Sequence, residues 1–184
     1  MLVTSPPLST TADPVPASLD AFLAGIGPRA YRFAEAGLRQ REDALDAVQD
    51  AMERMLGYRN HPPAEWTPLF WSILRRRIID LQRRGNFRLK FWAPQQDQDQ
   101  DSAIDWADET PGPAERHQQQ TQYTRLVEAL RRLPARQREA FSLRVLQELD
   151  VATTAKAMGC SEGSVKTHLS RARDALMQQL EDVR

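Results

Sequence analysis

Apolar positions recur at helical spacing in two stretches of this chain, residues 25–92 and residues 121–184. Near the C-terminus, apolar side chains lie three or four residues apart at Val165, Leu169, Ala172, Leu176 and Leu180. This spacing places them on one side of an α-helix, facing a core. The pattern predicts an all-α fold.

Two segments without this periodicity divide the chain. Residues 1–24 are rich in Pro, Ser, Thr and Ala. We expect a mobile N-terminal segment there, because it buries too little apolar surface to offset the entropy of ordering. Residues 93–120 are rich in Asp, Gln and Pro, which is typical of a flexible linker. The sequence therefore predicts two small helical domains, residues 25–92 and residues 121–184, joined by an acidic linker.

The first predicted domain contains two amphipathic helices with oppositely charged polar faces. One helix has an apolar face of Leu45, Val48, Met52, Met55 and Leu56. Its other side forms an acidic face of Asp46, Gln49, Asp50 and Glu53. The next helix has an apolar stripe that includes Phe70, and roughly opposite it a basic ridge of Arg75, Arg76 and Arg83, which Arg84 extends. From the residues alone, an ordinary solvated helix face is the favoured interpretation of the acidic side.

The second predicted domain ends in a helix-turn-helix pattern. A short helix over Val151–Met158 is followed by a turn and a longer helix over residues 162–180. Gly159 suits the left-handed position that ends a helix, and Ser161 suits the N-cap of the next one. In helix-turn-helix proteins the second helix lies in the major groove of DNA.

The polar side of that second helix supplies the candidate DNA contacts. They are Ser164, Lys166, Thr167, Ser170, Arg171 and Arg173. Hydroxyl groups can meet base edges, and cations can meet phosphates. The alternative is a basic surface helix that touches only solvent, because motif matches include false positives.

Charge and cysteine content narrow the possible functions. The formal net charge is zero, which argues against a protein that coats DNA through bulk charge. The single cysteine, Cys160, excludes an intramolecular disulfide, and the three histidines are scattered, so no metal site is predicted. There is no signal-peptide pattern and no apolar run of about 18 residues, so we expect a soluble, cytoplasmic protein without membrane insertion.

Four segments in order resemble the extracytoplasmic-function (ECF) group of the sigma-70 family of RNA polymerase sigma factors. Residues 46–51 are similar to region 2.2, and residues 69–84 to regions 2.3 and 2.4. Residues 133–141 resemble the opening of region 4, and residues 159–173 resemble its recognition helix. The resemblance covers about residues 25–184.

The resemblance implies a partner for each surface. The acidic face of Asp46, Gln49, Asp50 and Glu53 would bind core RNA polymerase. Region 2, with the basic ridge, would recognise the minus 10 element of promoter DNA, and region 4 the minus 35 element. An anti-sigma factor is an expected further partner. Such proteins are not enzymes, and neither a cofactor nor a catalytic residue is expected.

The chain departs from the family at several positions. Arg76 stands where many members have Asn near the minus 10 bases, and Thr154 and Ala155 stand where members commonly have Glu and Ile. Aromatic rings at Trp66, Phe70 or Trp71 are candidates for stacking on unpaired bases. Core packing is the favoured alternative for Phe70, because it lies on the apolar stripe.

Two other functional classes fit parts of this sequence less well. An autonomous helix-turn-helix regulator would bind duplex DNA by itself, usually as a dimer, but it has no need for both the acidic face and the basic ridge. A small nuclease would require a clustered carboxylate or histidine metal site. The acids that cluster here fall in the predicted linker.

Overall fold

The computed structural model describes residues 16–91 and 113–181, and these residues form helices and no strand. The first part of the chain contains three helices: α1 (Leu19–Gly37), α2 (Arg41–Leu56) and α3 (Pro63–Phe91). The second part contains α4 (Pro113–Arg132), α5 (Ala135–Phe141), a π-helical segment (Ser142–Leu146), α6 (Val151–Met158) and α7 (Glu162–Glu181). The predicted all-α fold is confirmed.

Helix α1 begins earlier than the sequence predicted. Ser18 accepts a hydrogen bond from the backbone N–H of Ala21 through its hydroxyl at 3.1 Å, and Leu19 is buried. The N-cap supplies a partner for an otherwise unpaired amide. Residues 19–24 therefore belong to the first helical part and not to a mobile segment, while residues 1–15 lie outside the described residues.

Helix α4 also begins within a segment assigned to the linker. It starts at Pro113, so residues 113–120 are helical. Proline is well suited to the first helical position, where its missing N–H has no intrahelical role. The remainder of the predicted linker, residues 93–112, lies outside the described residues.

Aromatic packing organises the core of the first part. Phe70 and Trp71 on α3 are fully buried, and Trp66 is 4% exposed. The Trp71 ring meets Phe33 of α1 edge-on with ring centroids 5.3 Å apart, an arrangement that aromatic quadrupoles favour. The suggestion that these three rings stack on unpaired bases is therefore wrong for this arrangement, because all three are used to join α1 and α3.

The two helical parts pack against each other. One hydrophobic cluster contains Trp71 and Leu74 from α3 together with Leu143, Met158 and Val165 from the second part. A smaller cluster formed by α4 and α7 includes Ala36 of α1. The helices α3 and α6 lie in direct contact. Burial of apolar surface from both parts in one cluster favours this closed arrangement.

Within the described residues, no helix is both long enough and apolar enough to cross a membrane.

Candidate nucleic-acid interface

The helix-turn-helix forms as the sequence predicts. Gly159 ends α6 with φ 62° and ψ 47°, the left-handed conformation that glycine adopts without steric strain. The Ser161 hydroxyl accepts from the backbone N–H of Ser164 at 3.2 Å, which caps the first turn of α7. The two predicted end signals thus fix the turn between the helices.

The apolar side of α7 faces the core and leaves the polar side open. Val165 and Ala172 are fully buried, Leu176 is 5% exposed, and Leu169 is half-buried. The Leu180 side chain lies outside the described residues. The exposed side chains of the predicted DNA face are Lys166, Thr167, Ser170, Arg171 and Arg173.

Ser164, the remaining candidate on this helix, is half-buried. Its hydroxyl lies 2.9 Å from that of Ser161. Thr167 is exposed, but its hydroxyl donates to the backbone carbonyl of Gly163 at 3.0 Å. Both hydroxyl groups therefore already have local partners, whereas the three cations and Ser170 extend into solvent.

Helix α6 has a side-chain cap at its other end, where it begins. The Asp150 carboxylate accepts from the backbone N–H of Thr153 at 2.7 Å and from its hydroxyl at 2.7 Å. These hydrogen bonds, the backbone one foremost, lower the pKa of Asp150. Thr154 is fully buried and donates its hydroxyl to the Asp150 carbonyl at 2.8 Å. Thr154, which stands where the resembled family commonly has Glu, is thus buried without leaving its hydroxyl unpaired.

The four arginines of the basic ridge on α3 differ in their exposure to solvent. Arg76, Arg83 and Arg84 are exposed as predicted. Arg75 is not: its Nε donates to the Glu139 carboxylate of α5 at 2.7 Å, and its side chain is 12% exposed. The prediction that Arg75 lies on an exposed ridge is wrong in this arrangement, because the buried Glu139 requires a cationic partner. Whether Arg75 contacts DNA stays a prediction.

The acidic face of α2 forms one exposed surface. Asp46, Gln49 and Glu53 are exposed, and the Gln49 amide donates to Glu53 at 2.9 Å. Asp50 is half-buried, and Arg77 of α3 lies 2.5 Å from its carboxylate. Asp50 thus differs from the other three residues in having a cationic partner inside the fold.

Two apolar residues beside this face were missed by the sequence analysis. Leu45 is 39% exposed and Leu56 is 48% exposed, although both were assigned to the core side of α2. The core side is formed instead by Ala44, Ala47 and Ala51 together with Val48 and Met55. Three alanines at helical spacing were the available signal, since they allow close helix packing and displace the larger residues towards solvent.

Among the described residues, no group of three or more His, Cys, Asp or Glu side chains is placed to hold a metal ion. The Cys160 thiol is free and half-buried, next to the turn.

Comparisons with known proteins agree with this geometry. The family described as Sigma-70, region 4 matches residues 123–176, which include α5, α6 and most of α7. The chain is 30% identical over 152 residues to the ECF RNA polymerase sigma factor SigM of Mycobacterium tuberculosis, covering 82% of this chain and 70% of SigM. It is 30% identical over 155 residues to the RNA polymerase sigma factor SigV of Bacillus subtilis, covering 82% of this chain and 83% of SigV.

A match over a shorter segment has a higher sequence identity. The chain is 47% identical over 57 residues to the ECF RNA polymerase sigma factor BldN of Streptomyces coelicolor, which is 31% of this chain and only 22% of BldN.

Two solved structures have a similar fold. CnrH in complex with the cytosolic domain of CnrY aligns with a TM-score of 0.64 at 17% identity, over 89% of this chain and 88% of that chain. The sigma factor RpoE in complex with the anti-sigma factor NepR from Bartonella quintana aligns with a TM-score of 0.63 at 22% identity, over 90% and 98%. These likenesses support the helical architecture. Because SigM and SigV match over most of both chains, this protein belongs to the ECF group of sigma-70 family factors and is not an autonomous helix-turn-helix regulator.

Proposed function

We propose that this protein binds core RNA polymerase and directs it to promoters, with α1–α3 as region 2 recognising the minus 10 element and α4–α7 as region 4 recognising the minus 35 element. One observation carries the proposal: a single chain exposes a polar recognition helix and, separately, an acidic helix face bordered by exposed leucines. A DNA-binding regulator uses the first surface, whereas a polymerase subunit uses both.

The exposed side of α7 has the chemistry of a major-groove helix. Lys166, Arg171 and Arg173 can neutralise phosphates, which supplies affinity without sequence information. Ser170 can contact a base edge, since a hydroxyl both donates and accepts. The cations would therefore hold the helix in the groove, and Ser170 would contribute to sequence preference.

On region 2, the exposed cations Arg76, Arg83 and Arg84 support binding to the minus 10 region. The arginine at position 76 replaces an amide side chain common in the family. A guanidinium presents a planar fork of donors, whereas an amide offers both a donor and an acceptor. We propose that this chain prefers different minus 10 bases from members with Asn at that position.

The polymerase-binding surface combines charge with apolar area. Asp46 and Glu53 can pair with basic side chains of the polymerase, and Leu45 and Leu56 lie on the neighbouring strip of α2. Large apolar side chains left in solvent beside charged ones are typical of protein interfaces. We propose that the leucines add affinity by leaving water on binding and that the carboxylates favour the correct orientation.

A protein of this kind acts by binding, so we assign it no catalytic residue and no cofactor, and we place it in the cytoplasm with the polymerase. RpoE, which has a similar fold, was solved with an anti-sigma factor. We propose an anti-sigma factor as a regulator of this chain as well, one that covers the exposed surfaces of α2 or α7.

The test is transcription in vitro with purified bacterial core RNA polymerase on a genomic promoter library, with and without this protein, followed by mapping of the 5′ ends. New start sites that share two spaced upstream elements support the function and identify the promoter. Lys166→Ala and the double variant Asp46→Ala, Glu53→Ala are the matched variants, one for each surface. Absence of new start sites, with no binding to core polymerase, would contradict the proposal.

A further inference from the structure

Three consecutive arginines of α3 point in different directions. Arg75 pairs with Glu139 of α5. Arg77 lies beside Asp50 of α2. Arg76 stands between them, is exposed, and has no hydrogen bond or ion pair with any residue that the structure describes. Among these three, the Arg76 guanidinium therefore keeps its donors for a ligand.

Asp80 lies one turn further along α3, on the same exposed side as Arg76. Residues four apart on an α-helix are neighbours, with Cβ atoms about 5–6 Å apart. Within the described part of the chain, neither side chain forms an ion pair with the other or with a third residue. The order is the weaker one for such a pair, because an acidic residue that precedes a basic one gives the stronger contact. This side of α3 therefore presents a donor group beside an acceptor group.

A carboxylate at this place is unsuited to a surface that only neutralises DNA. Arg83 and Arg84 follow Asp80 on the helix, and both are exposed. Such cations contact phosphates and carry no sequence information. A carboxylate repels a phosphate and only accepts hydrogen bonds, so its partner in DNA is a base that donates. The side of α3 with Arg76 and Asp80 therefore has the chemistry of base reading.

The edges of the bases decide which pair fits these two side chains. In the major groove, guanine presents two acceptors, O6 and N7, which match the parallel donors of an arginine. The cytosine paired with it presents its N4 amino group, from which an aspartate accepts. An A·T pair presents adenine N7, the N6 amino group and thymine O4, so it has no two adjacent acceptors for an arginine. A G·C pair therefore matches both side chains.

We propose that Arg76 and Asp80 together read one G·C pair of the promoter from the major groove. Arg76 donates to O6 and N7 of the guanine, and Asp80 accepts from N4 of the cytosine. The pair lies in the minus 10 element, an assignment that rests on the proposed function. The promoters of this chain then share a guanine at one fixed position of that element, while Arg83 and Arg84 hold neighbouring phosphates.

Transcription from a promoter library tests this assignment. The library starts from one promoter that the chain uses with core polymerase, and each base pair of its minus 10 element is randomised in turn. We expect wild-type protein to prefer G·C at one position, with transcripts about tenfold more abundant than from any other pair there. The preference should hold for one orientation of the pair, because the donor and the acceptor exchange places when the pair is reversed.

Two variants remove the base contacts one at a time. Arg76→Gln should abolish the preference for guanine, because an amide does not supply two parallel donors. Asp80→Ala should narrow the preference by improving the use of the other pairs, because it removes a group that only accepts. Arg84→Gln makes the same change as Arg76→Gln at another exposed cation of the helix and is the matched control. It should lower transcription from all templates alike and leave the preference unchanged.

A selection that does not depend on transcription keeps the two proposals apart. The full chain is mixed with core polymerase and a random duplex library, and the DNA bound to the chain is recovered and sequenced. A shared G·C pair that Arg76→Gln abolishes, without transcription, supports the base reading and contradicts the proposed function. Absence of any Arg76-dependent pair in the recovered DNA, together with absence of transcription, overturns both.

The remaining outcomes bear on the base reading alone. Transcription without a preference for G·C at any position overturns it and leaves the proposed function standing. A preference that Arg76→Gln leaves unchanged also overturns it. A preference that Asp80→Ala leaves unchanged overturns the contact with cytosine. Because the preference is a ratio between templates, partial loss of folded protein in a variant does not change it.

Discussion

Arg77 Nε lies 2.5 Å from Asp50 Oδ2, so the centre of the acidic face of α2 is tied to α3. The Arg77 Nε–H has no hydrogen bond of good geometry, and the contact is therefore ionic. The Asp50 side chain is 35% exposed, whereas Asp46 and Glu53 lie fully on the surface side of the helix. The acidic face thus contains one carboxylate that pairs within the fold, Asp50, and two that are free to contact a partner, Asp46 and Glu53.

We expect substitutions of these carboxylates to have different effects on polymerase binding and on stability. Asp46→Ala with Glu53→Ala should weaken binding to core polymerase about tenfold and change the free energy of unfolding by less than about 0.5 kcal/mol. Asp50→Ala should lower the free energy of unfolding by about 1 kcal/mol, because it leaves Arg77 without its counter-ion. Biolayer interferometry with immobilised polymerase and urea denaturation measure the two quantities. Equal loss of stability in both variants would contradict the division.

The cations of α7 should act mainly through phosphates. Lys166→Ala and Arg171→Ala should each weaken binding to a minus 35 duplex about tenfold, and each should reduce the slope of log affinity against log salt by about one. Fluorescence anisotropy over a series of salt concentrations measures both effects. Arg59→Ala removes a cation from an exposed loop site and is the control. A loss of affinity with an unchanged salt slope would show that the side chain does not neutralise a phosphate.

Local signals in the sequence were sufficient for the recognition helix. The interval between apolar residues set the buried side of α7, and Gly159 and Ser161 set its boundaries. All of this information lies within about one helix and its caps, so it can be extracted without knowledge of the tertiary fold.

Contacts between distant parts of the chain cannot be predicted from such local signals. Arg75 and Arg76 are adjacent arginines, yet only Arg75 faces Glu139, which lies 64 residues away in the chain. Periodicity gives the direction of a side chain on its own helix but not which other helix approaches it. The exposure of Leu45 has a local origin instead: its apolar character indicated a core position, but the alanines of α2 lie at helical spacing and form the buried side of the helix.

The left-handed conformation of Gly159 gives a prediction for stability. Gly159→Ala should lower the free energy of unfolding by about 1 kcal/mol, because a Cβ at positive φ approaches the following carbonyl oxygen. Gly25→Ala is the matched control: it lies inside α1 with open space around the added Cβ, and it should raise stability by about 0.5–1 kcal/mol. Chemical denaturation of both variants provides the comparison. Two changes of the same sign would contradict the assignment of strain to residue 159.

The cap at Asp150 makes the stability of the helix-turn-helix depend on pH. Hydrogen bonds from Thr153 lower the pKa of Asp150 in the folded chain, so folding favours the ionised carboxylate. The resulting stabilisation is fully present above the ordinary aspartate pKa of about 3.9 and is lost as the pH falls through the lowered pKa. Asp150→Asn retains an acceptor at the cap but cannot titrate there.

We therefore expect wild-type protein to be more stable than Asp150→Asn at neutral pH and the difference to shrink in acid. Asp150→Ala, which has no acceptor, should be about 1 kcal/mol less stable than wild type at neutral pH. Urea denaturation followed by circular dichroism, from about pH 7 down to about pH 2, passes through the ordinary aspartate pKa and into the range where the stabilisation is lost. A difference between wild type and Asp150→Asn that is the same at every pH would show that the charge of Asp150 contributes nothing to the cap.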